Sequence, residues 1–427
     1  MLGWRMLKEG DYFLDIPDLS DEEKEIVLNS EEKYKERARN EDAEIGKLVK
    51  NTAKEMGIYL DIDQEEYLSR IAEMHISYAF FDQLLKDPEV EEISVLGPGK
   101  PAYVYLRNKG WKSVNACFEN EKAIADMINR MARNIGRHIT MQNPRIDAML
   151  QDGSRLHGSL PPVSSGEITI RKFRDVPFSP VEIVNNKTME MEALAFLSLL
   201  MQCDASLVVA GNTASGKTTT MNALFSFVPE NERIIITEET PEINIPHKHQ
   251  MRMVANRDMG ISLKDLVYDS LRMRPDRMIV GEVRNKEEIE ALFDVLLAGQ
   301  ARGSYATFHA QSVDEAISRL RSFGISEMDI KSIDCMVIQR RMLSYDKRKS
   351  HETRKVVEIS ESGKTLYKNG KSDFDGELLL KIADSFGMSR KEIREELELR
   401  KKVFRKAPEG FREFFDHIQT KFHGGVK

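Results

Sequence analysis

The chain has 427 residues, which is long for a single hydrophobic core and suggests two or three domains. Charged residues make up 31% of the sequence and the formal net charge is −7, which excludes a global electrostatic attraction to nucleic acid. Three separated cysteines without a C-x-x-C pair exclude a disulfide framework and a tetracysteine zinc site, and they fit a reducing cytoplasm.

Residues 1–64 are predicted to form an acidic, largely helical N-terminal arm. From Asp11 to Glu32 there are nine acidic residues against one base, Lys24. Ser20 and Glu23 form the pattern of a capping box, which predicts a short helix after them. The acidic run is either a solvated arm or a docking arm for a basic partner.

Residues 65–173 are predicted to form a small α/β domain. Apolar residues at helical spacing precede strands at 92–95 and 102–106, which the turn Gly97-Pro98-Gly99 separates. A helix around 123–135 follows, and then strands at 155–159 and 167–173. Prolines at 177 and 180 predict that residues 174–188 are a linker.

In residues 189–385, apolar strands alternate with helical segments. The strands are predicted at 207–210, 233–237, 277–280 and 305–308. Such alternation predicts an α/β domain with a parallel sheet, in which ligands bind at the carboxyl ends of the strands.

A phosphate-binding loop, or Walker A motif, follows the first of these strands. The pattern G-x-x-x-x-G-K-[ST] is matched by Gly211, Asn212, Thr213, Ala214, Ser215, Gly216, Lys217 and Thr218, with Thr219 next. The strand before the loop and the predicted helix 217–227 after it are the context that the motif requires. We therefore expect ATP with Mg²⁺ here, Lys217 reaching the β/γ-phosphates and the Thr218 hydroxyl ligating the metal.

Acidic residues and a histidine follow the other predicted strands. Glu238, Glu239 and Glu242 follow one strand, and Glu282 ends the next, with Gly281 where many such enzymes carry aspartate. His309 follows a further strand. Hydrolysis of ATP needs an acid that holds the metal and a base that aims water at the γ-phosphate, and these residues are the candidates.

Residues 386–427 are predicted to form charged C-terminal helices. Ser389 and Glu392 form a second capping box, which opens a helix extending to about Lys406. Its mixed basic and acidic residues indicate either a solvated face or a patch for phospholipid or a partner.

These motifs together resemble the secretion-ATPase superfamily, which drives type II and type IV secretion, type IV pilus assembly and retraction, and the archaellum. The most distinctive run is L-R-x-x-P-D-x-x-x-V-G-E-V-R, from Leu271 to Arg284. The N-terminal segments around 87–95, 144–155 and 168–171 also resemble the first domain of these ATPases. The sequences of 101–105 and of the phosphate loop resemble the archaeal branch.

The resemblance implies a homo-hexamer in which a RecA-like ATPase domain follows a smaller α/β N-terminal domain. It implies that Glu242 is the general base, that Glu282 is the Walker B acid serving the metal, and that His309 senses the γ-phosphate. It also implies that Glu238 and Glu239 order metal or water and that Arg155 and Arg171 reach phosphate from the N-terminal domain. The implied partners are a polytopic membrane platform protein and, indirectly, pilin-like or archaellin subunits, at the inner face of the cell membrane.

One departure from the family pattern leaves a second function open. Gln300 stands where the family usually has a histidine, and glutamine cannot titrate near neutral pH. The alternative to a motor is a nucleotide-gated ring scaffold that binds ATP with little hydrolysis.

Overall fold

The computed structural model describes residues 3–14, 16, 19–37, 44–107, 109–133, 136–174, 176–256, 259–299, 301–346 and 349–424. The chain divides into two compact units, Met1–Phe173 and Arg174–Lys427. Within the described residues, no helix is both long and apolar enough to cross a bilayer.

The first unit combines five helices with seven strands among its described residues. Its elements are β1 (Trp4–Met6), α1 (Asp21–Arg37), α2 (Ile45–Glu55), α3 (Ile62–Ile76), α4 (Phe81–Lys86), β2 (Val90–Val95), β3 (Pro101–Leu106), β4 (Gly110–Phe118), α5 (Glu121–Ala132), β5 (Arg145–Met149), β6 (Arg155–Ser159) and β7 (Glu167–Arg171).

The strands of the first unit form one antiparallel sheet in the order β1-β4-β3-β2-β7-β6-β5. Alternate residues point to opposite faces of a strand, and in β3, β5 and β7 buried residues alternate with more exposed ones. The end of β4 is buried on both sides. In β7, Ile168 and Ile170 are fully buried, while Arg171 is exposed on the other face. In this strand the second face carries the polar residues Glu167, Thr169 and Arg171.

The described part of the predicted acidic arm packs on the same core as the sheet. The capping box is confirmed: the Ser20 hydroxyl accepts from the backbone N–H of Glu23, and the Glu23 carboxylate accepts from that of Ser20. Ile26 and Val27 of α1 are fully buried in the core that the sheet also lines. Most acidic residues of α1 lie on the outer side of this packed helix, whereas Glu31 is buried and contacts Lys35 and Arg130.

The second unit is built around a larger sheet. Its elements are α6 (Pro180–Asn185), α7 (Met191–Leu200), β8 (Leu207–Gly211), α8 (Lys217–Leu224), β9 (Ile234–Glu238), β10 (Gln250–Val254), α9 (Leu263–Ser270), β11 (Arg277–Val283), α10 (Lys286–Ala298), β12 (Gly303–Phe308), α11 (Val313–Ser322), α12 (Glu327–Ile330), β13 (Cys335–Asp346), β14 (Lys349–Glu361), β15 (Lys364–Lys368), β16 (Lys371–Ser372), α13 (Glu377–Phe386), α14 (Arg390–Phe404) and α15 (Phe411–Phe422).

The described strands of this sheet have the order β10-β9-β11-β12-β8-β13-β14-β15-β16. Pairing is parallel from β10 to β13 and antiparallel from β13 to β16, so the sequence prediction missed an antiparallel edge. Successive residues of β8 are buried against different helices, with Leu207 and Val209 in one core and Val208 and Ala210 in another. Helices therefore cover both faces of the sheet.

The C-terminal helices pack on one of these two cores. The capping box at Ser389 and Glu392 is confirmed at the start of α14. Phe404 of α14 and Phe414 of α15 are fully buried beside Phe227, which follows α8. The charged residues of this segment are consequently carried by helices that belong to the second unit.

Candidate functional site

The phosphate loop joins β8 to α8 through a backbone that needs glycine at two points. A Cβ at position 211 would lie 2.1 Å from the carbonyl oxygen of Gln339, so only glycine fits there. Gly216 has φ +93°, in the left-handed region that glycine adopts without steric cost. The loop then enters α8 at Lys217, and the first N–H groups of a helix are a ready site for anions.

Lys217 carries its charge into a buried position beneath the loop. Its side chain is 8% exposed, and its Nζ lies 3.6 Å from Oε1 of Glu282. Burial lowers the pKa of Lys217, and the negative charge of Glu282 opposes that shift. A charge that water solvates poorly is available to bind an anionic ligand strongly.

Glu282 is held by a histidine and an arginine. Nε2 of His309 lies 2.6 Å from its Oε1, and Nε of Arg284 donates to its Oε2 at 2.8 Å. Burial alone would raise the pKa of Glu282, but the hydrogen bonds from His309 and Arg284 outweigh it and hold the pKa at about 2. The carboxylate is therefore ionised throughout the physiological pH range.

Gly281 precedes Glu282 for a steric reason. A Cβ at position 281 would lie 2.9 Å from Cγ of Glu238, which reaches across from the neighbouring strand β9. The side chain of Glu238 thus occupies the space that a residue larger than glycine would need. This contact explains the absence of aspartate at this position of the motif.

Glu238 and Glu242 have different surroundings although Glu242 follows Glu238, the last residue of β9, by only four positions. Oε1 of Glu238 accepts hydrogen bonds from the backbone N–H groups of Glu242 and Ile243, both at 2.8 Å. Glu242 in turn accepts a hydrogen bond from the Thr218 hydroxyl at 3.0 Å. Burial raises the pKa of Glu238 to about 7, although the two backbone hydrogen bonds and Arg252 oppose the shift.

A pocket brings these side chains together at the carboxyl ends of β8, β9, β11 and β12. Its lining includes Thr218, Glu239, Glu242, Glu282, Arg284 and Thr307. Oxygen ligands of this kind suit Mg²⁺, which usually takes one or two protein oxygens and keeps water and phosphate oxygens as its other ligands. Among the described residues no cluster of three or more His, Cys, Asp or Glu side chains could hold an ion.

Arg155 and Arg171 lie on the first unit and are cross-strand neighbours. They stand directly opposite each other on β6 and β7. Nη2 of Arg155 lies 3.5 Å from Oδ1 of Asp147, and the guanidinium of Arg171 lies over the ring of Phe173. Two neighbouring guanidinium groups are a candidate binding place for an anion.

Sequence reasoning assigned no role to Arg284, although it lies inside the most distinctive motif. Besides Glu282 it contacts Glu239, whose Oε2 lies 3.3 Å from Nη1 of Arg284. The sequence pattern that could have indicated its role is its position two residues after Glu282, a spacing that places both side chains on one side of a strand. Gln300 lies outside the described residues.

The chain is similar to proteins of known secretion systems. A family model described as "Type II/IV secretion system protein" matches residues 113–380. Two uncharacterized proteins of Methanocaldococcus jannaschii are 34% and 36% identical over 266 and 216 residues, or 60% and 48% of this chain. These matches cover 47% and 30% of the relatives, so the chain spans about half of their length or less.

Two further matches have descriptive names. The type IV secretion system protein VirB11 of Bartonella quintana is 26% identical over 280 residues, which are 55% of this chain and 76% of VirB11. Among solved structures, the ATPase DotB of Legionella pneumophila superposes with a TM-score of 0.50 at 17% identity, covering 82% of this chain and 93% of DotB. At that identity the match supports the α/β fold alone.

Proposed function

Because the chain belongs to the family of type II/IV secretion system proteins, we propose that it is a motor ATPase. It hydrolyses ATP to power assembly of a type IV pilus-like or archaellum filament, or a related secretion process. The observation that carries this proposal is one pocket that joins the phosphate loop, through Thr218, to the carboxylates of Glu242 and Glu282.

The phosphate loop is the binding element of the proposed reaction. Its backbone N–H groups and the start of α8 bind the phosphates, and Lys217 places its buried charge against them. Thr218 and Glu282 would hold Mg²⁺, which would neutralise charge on the phosphate oxygens. Arg284 and His309 keep the Glu282 carboxylate ionised and fixed in direction.

Glu242 is the proposed general base of the reaction. It orients a water molecule and takes its proton as the water oxygen attacks the γ-phosphorus, and the bond to the ADP oxygen breaks. Glu238 holds the backbone N–H of Glu242 and so sets where this carboxylate lies. Glu239, tied to Arg284, completes the acidic lining and helps to order metal or water.

The proposed assembly follows from the family. A RecA-like domain in the second unit works in a homo-hexamer, with Arg155 and Arg171 of the first unit reaching the γ-phosphate. The ring acts on a polytopic membrane platform protein at the cytoplasmic face, and through it on pilin-like or archaellin subunits. The two-unit organisation of the chain supports this proposal because such motors need two bodies that can move.

The test is release of phosphate by the purified full chain with ATP and Mg²⁺. Lys217→Ala should abolish nucleotide binding and hydrolysis. Glu242→Gln should keep ATP binding and lower kcat by about 10²- to 10⁴-fold, the usual contribution of a general base. Lys248→Ala is the matched control, because this lysine side chain is 80% exposed and lies outside the pocket.

Two outcomes would contradict the motor. If wild-type protein releases no phosphate in an Mg²⁺-dependent way, or releases it equally in Lys217→Ala, the chain is not this ATPase. Tight binding of ATP without phosphate release would instead favour the nucleotide-gated scaffold.

A further inference from the structure

The β13–β14 hairpin lies beside the phosphate loop. β13 pairs in parallel with β8, and the last pair of that register joins Gln339 to Gly211, where the loop begins. β14 pairs with β13 along its length, from Met336 opposite Ser360 to Asp346 opposite Lys349. Residues of both β13 and β14 therefore lie close enough to contact the phosphate loop, and they do so from outside the pocket.

The first contact joins the loop to β13. The Asn212 side chain donates from Nδ2 to the carbonyl oxygen of Arg341 at 3.2 Å, and its Oδ1 accepts from the backbone N–H of Arg341 at 2.9 Å. With these two hydrogen bonds the Asn212 side chain pairs with the backbone of β13 as a strand residue would, one residue beyond the end of β8. The start of the loop is thereby fixed to the hairpin.

The second contact joins the loop to β14. Nε of Arg354 donates to the carbonyl oxygen of Ala214 at 2.9 Å. Ala214 has φ +59°, a conformation uncommon for residues other than glycine. The hydrogen bond from Arg354 thus holds the peptide that follows the strained residue of the loop.

A single carboxylate joins the two contacts. Oε2 of Glu352 lies 2.6 Å from Nη2 of Arg341, and its Oε1 lies 3.0 Å from Nη2 of Arg354. Glu352 is 17% exposed, so these ion pairs are screened less than surface pairs. Asn212, Arg341, Glu352, Arg354 and Ala214 form a closed set of contacts, which we call the loop clamp.

We propose that Arg354, oriented by Glu352, is a positioning residue that holds the phosphate loop in its phosphate-binding conformation. The inference rests on the proposed function, because it assumes that this loop binds ATP. Arg354 contacts the outer, carbonyl side of the loop and is absent from the lining of the pocket with Glu242 and Glu282. Its loss should therefore weaken binding of ATP and ADP alike and leave the chemical step nearly unchanged.

The experiment compares Arg354→Gln with wild type in the full chain. The measurements are dissociation constants for ADP and a non-hydrolysable ATP analogue, KM and kcat for ATP, and the midpoint of thermal unfolding. We expect both dissociation constants and KM to rise about five- to tenfold, as for loss of one ordinary hydrogen bond, while kcat changes by less than about twofold. Arg354→Lys should lie between, because one ammonium cannot serve both Ala214 and Glu352 with the fixed geometry of a guanidinium.

The matched control is Lys355→Gln, an exposed position next to Arg354 on the same strand, which should bind nucleotide like wild type. Glu352→Gln tests whether Glu352 acts through Arg354. Alone it should weaken ADP binding about two- to fourfold, and in the Arg354→Gln background it should add little, because the two residues act as one unit.

Unchanged ADP affinity in Arg354→Gln would overturn the inference, and so would a loss confined to kcat. A lowered unfolding midpoint with wild-type affinity would show a purely structural role and also overturn it. If the wild-type chain binds neither nucleotide, the proposed function fails and takes the inference with it. If the wild-type chain binds nucleotide and the loop-clamp variants bind it equally well, the inference alone fails.

Discussion

Glu238 and Glu242 show how the surroundings separate two residues of one type. Glu238 is 1% exposed, and one of its carboxylate oxygens accepts hydrogen bonds from two backbone N–H groups. Glu242 accepts a hydrogen bond from the Thr218 hydroxyl inside the pocket. Their order along the chain gives no reason to treat them differently. The turn after β9 distinguishes them, because it directs the carboxyl group of Glu238 toward backbone N–H groups and that of Glu242 toward the phosphate loop.

Titration of Glu238 should make stability depend on pH. Burial raises its pKa from 4.5 to about 7, so between these values the folded chain binds more protons than the unfolded chain. The free energy of unfolding therefore falls as the pH rises through this window, by roughly 2–4 kcal/mol. Thermal unfolding from pH 5 to pH 8 should show this fall for wild type relative to Glu238→Gln, whose amide does not titrate.

Arg252 supplies a check on that prediction. Its Nε lies 3.2 Å from Oε2 of Glu238, and its positive charge lowers the pKa of that carboxyl group. In Arg252→Gln the loss of stability should consequently extend to higher pH. A pH profile that is the same in wild type and Glu238→Gln would contradict the assignment.

At the scale of elements, the two capping boxes were readable in the sequence because each depends on residues three positions apart. Ser389→Ala should lower stability by about 1 kcal/mol, since the backbone N–H of Glu392 loses its acceptor. Thermal unfolding should detect this as a fall of about 2–4 °C in the midpoint.

Glu392→Gln is the comparison for that variant. Glutamine keeps an acceptor for the backbone N–H of Ser389, so its cost should be smaller than that of Ser389→Ala. An unchanged midpoint in Ser389→Ala would show that the packing of Ile393 and Phe404 fixes α14 without its cap.

At the scale of the whole molecule, the open face of the first unit carries two arginines that would repel each other. Arg155 and Arg171 are directly opposite across β6 and β7, while Asp147 lies beside Arg155 and Glu92 is opposite Arg171 on β2. These two carboxylates offset part of the repulsion between the guanidinium groups. The paired guanidinium groups can in addition bind a phosphate group, which is the role we propose for them.

Arg155→Ala and Arg171→Ala should therefore lower kcat for ATP by at least about a hundredfold, as for other arginines that stabilise a transferring phosphoryl group. The unfolding midpoint should change little, because each substitution removes both the repulsion between the arginines and the attraction of one arginine to a carboxylate, Asp147 or Glu92. Lys109→Ala, at the exposed turn between β3 and β4, is the control and should leave kcat unchanged. Wild-type turnover in both arginine variants would remove these residues from the reaction.

The sequence by itself determined what depends on short-range patterns. It located the strands that became β8, β9, β11 and β12, because runs of buried apolar residues and the glycines of the loop are local features. It also placed Glu238, Glu282 and His309 at strand ends, and the order of strands then brought them to one edge of the sheet.

Only the tertiary structure decided which of these residues contact one another. The antiparallel strands from β14 to β16 carry many charged residues, so their periodicity did not reveal them. The contacts of Arg354 with Ala214 and of Glu238 with Gly281 join residues separated by 140 and 43 positions. Such contacts depend on strand order and register, which local propensity does not encode, and the sheet alone brings these side chains together.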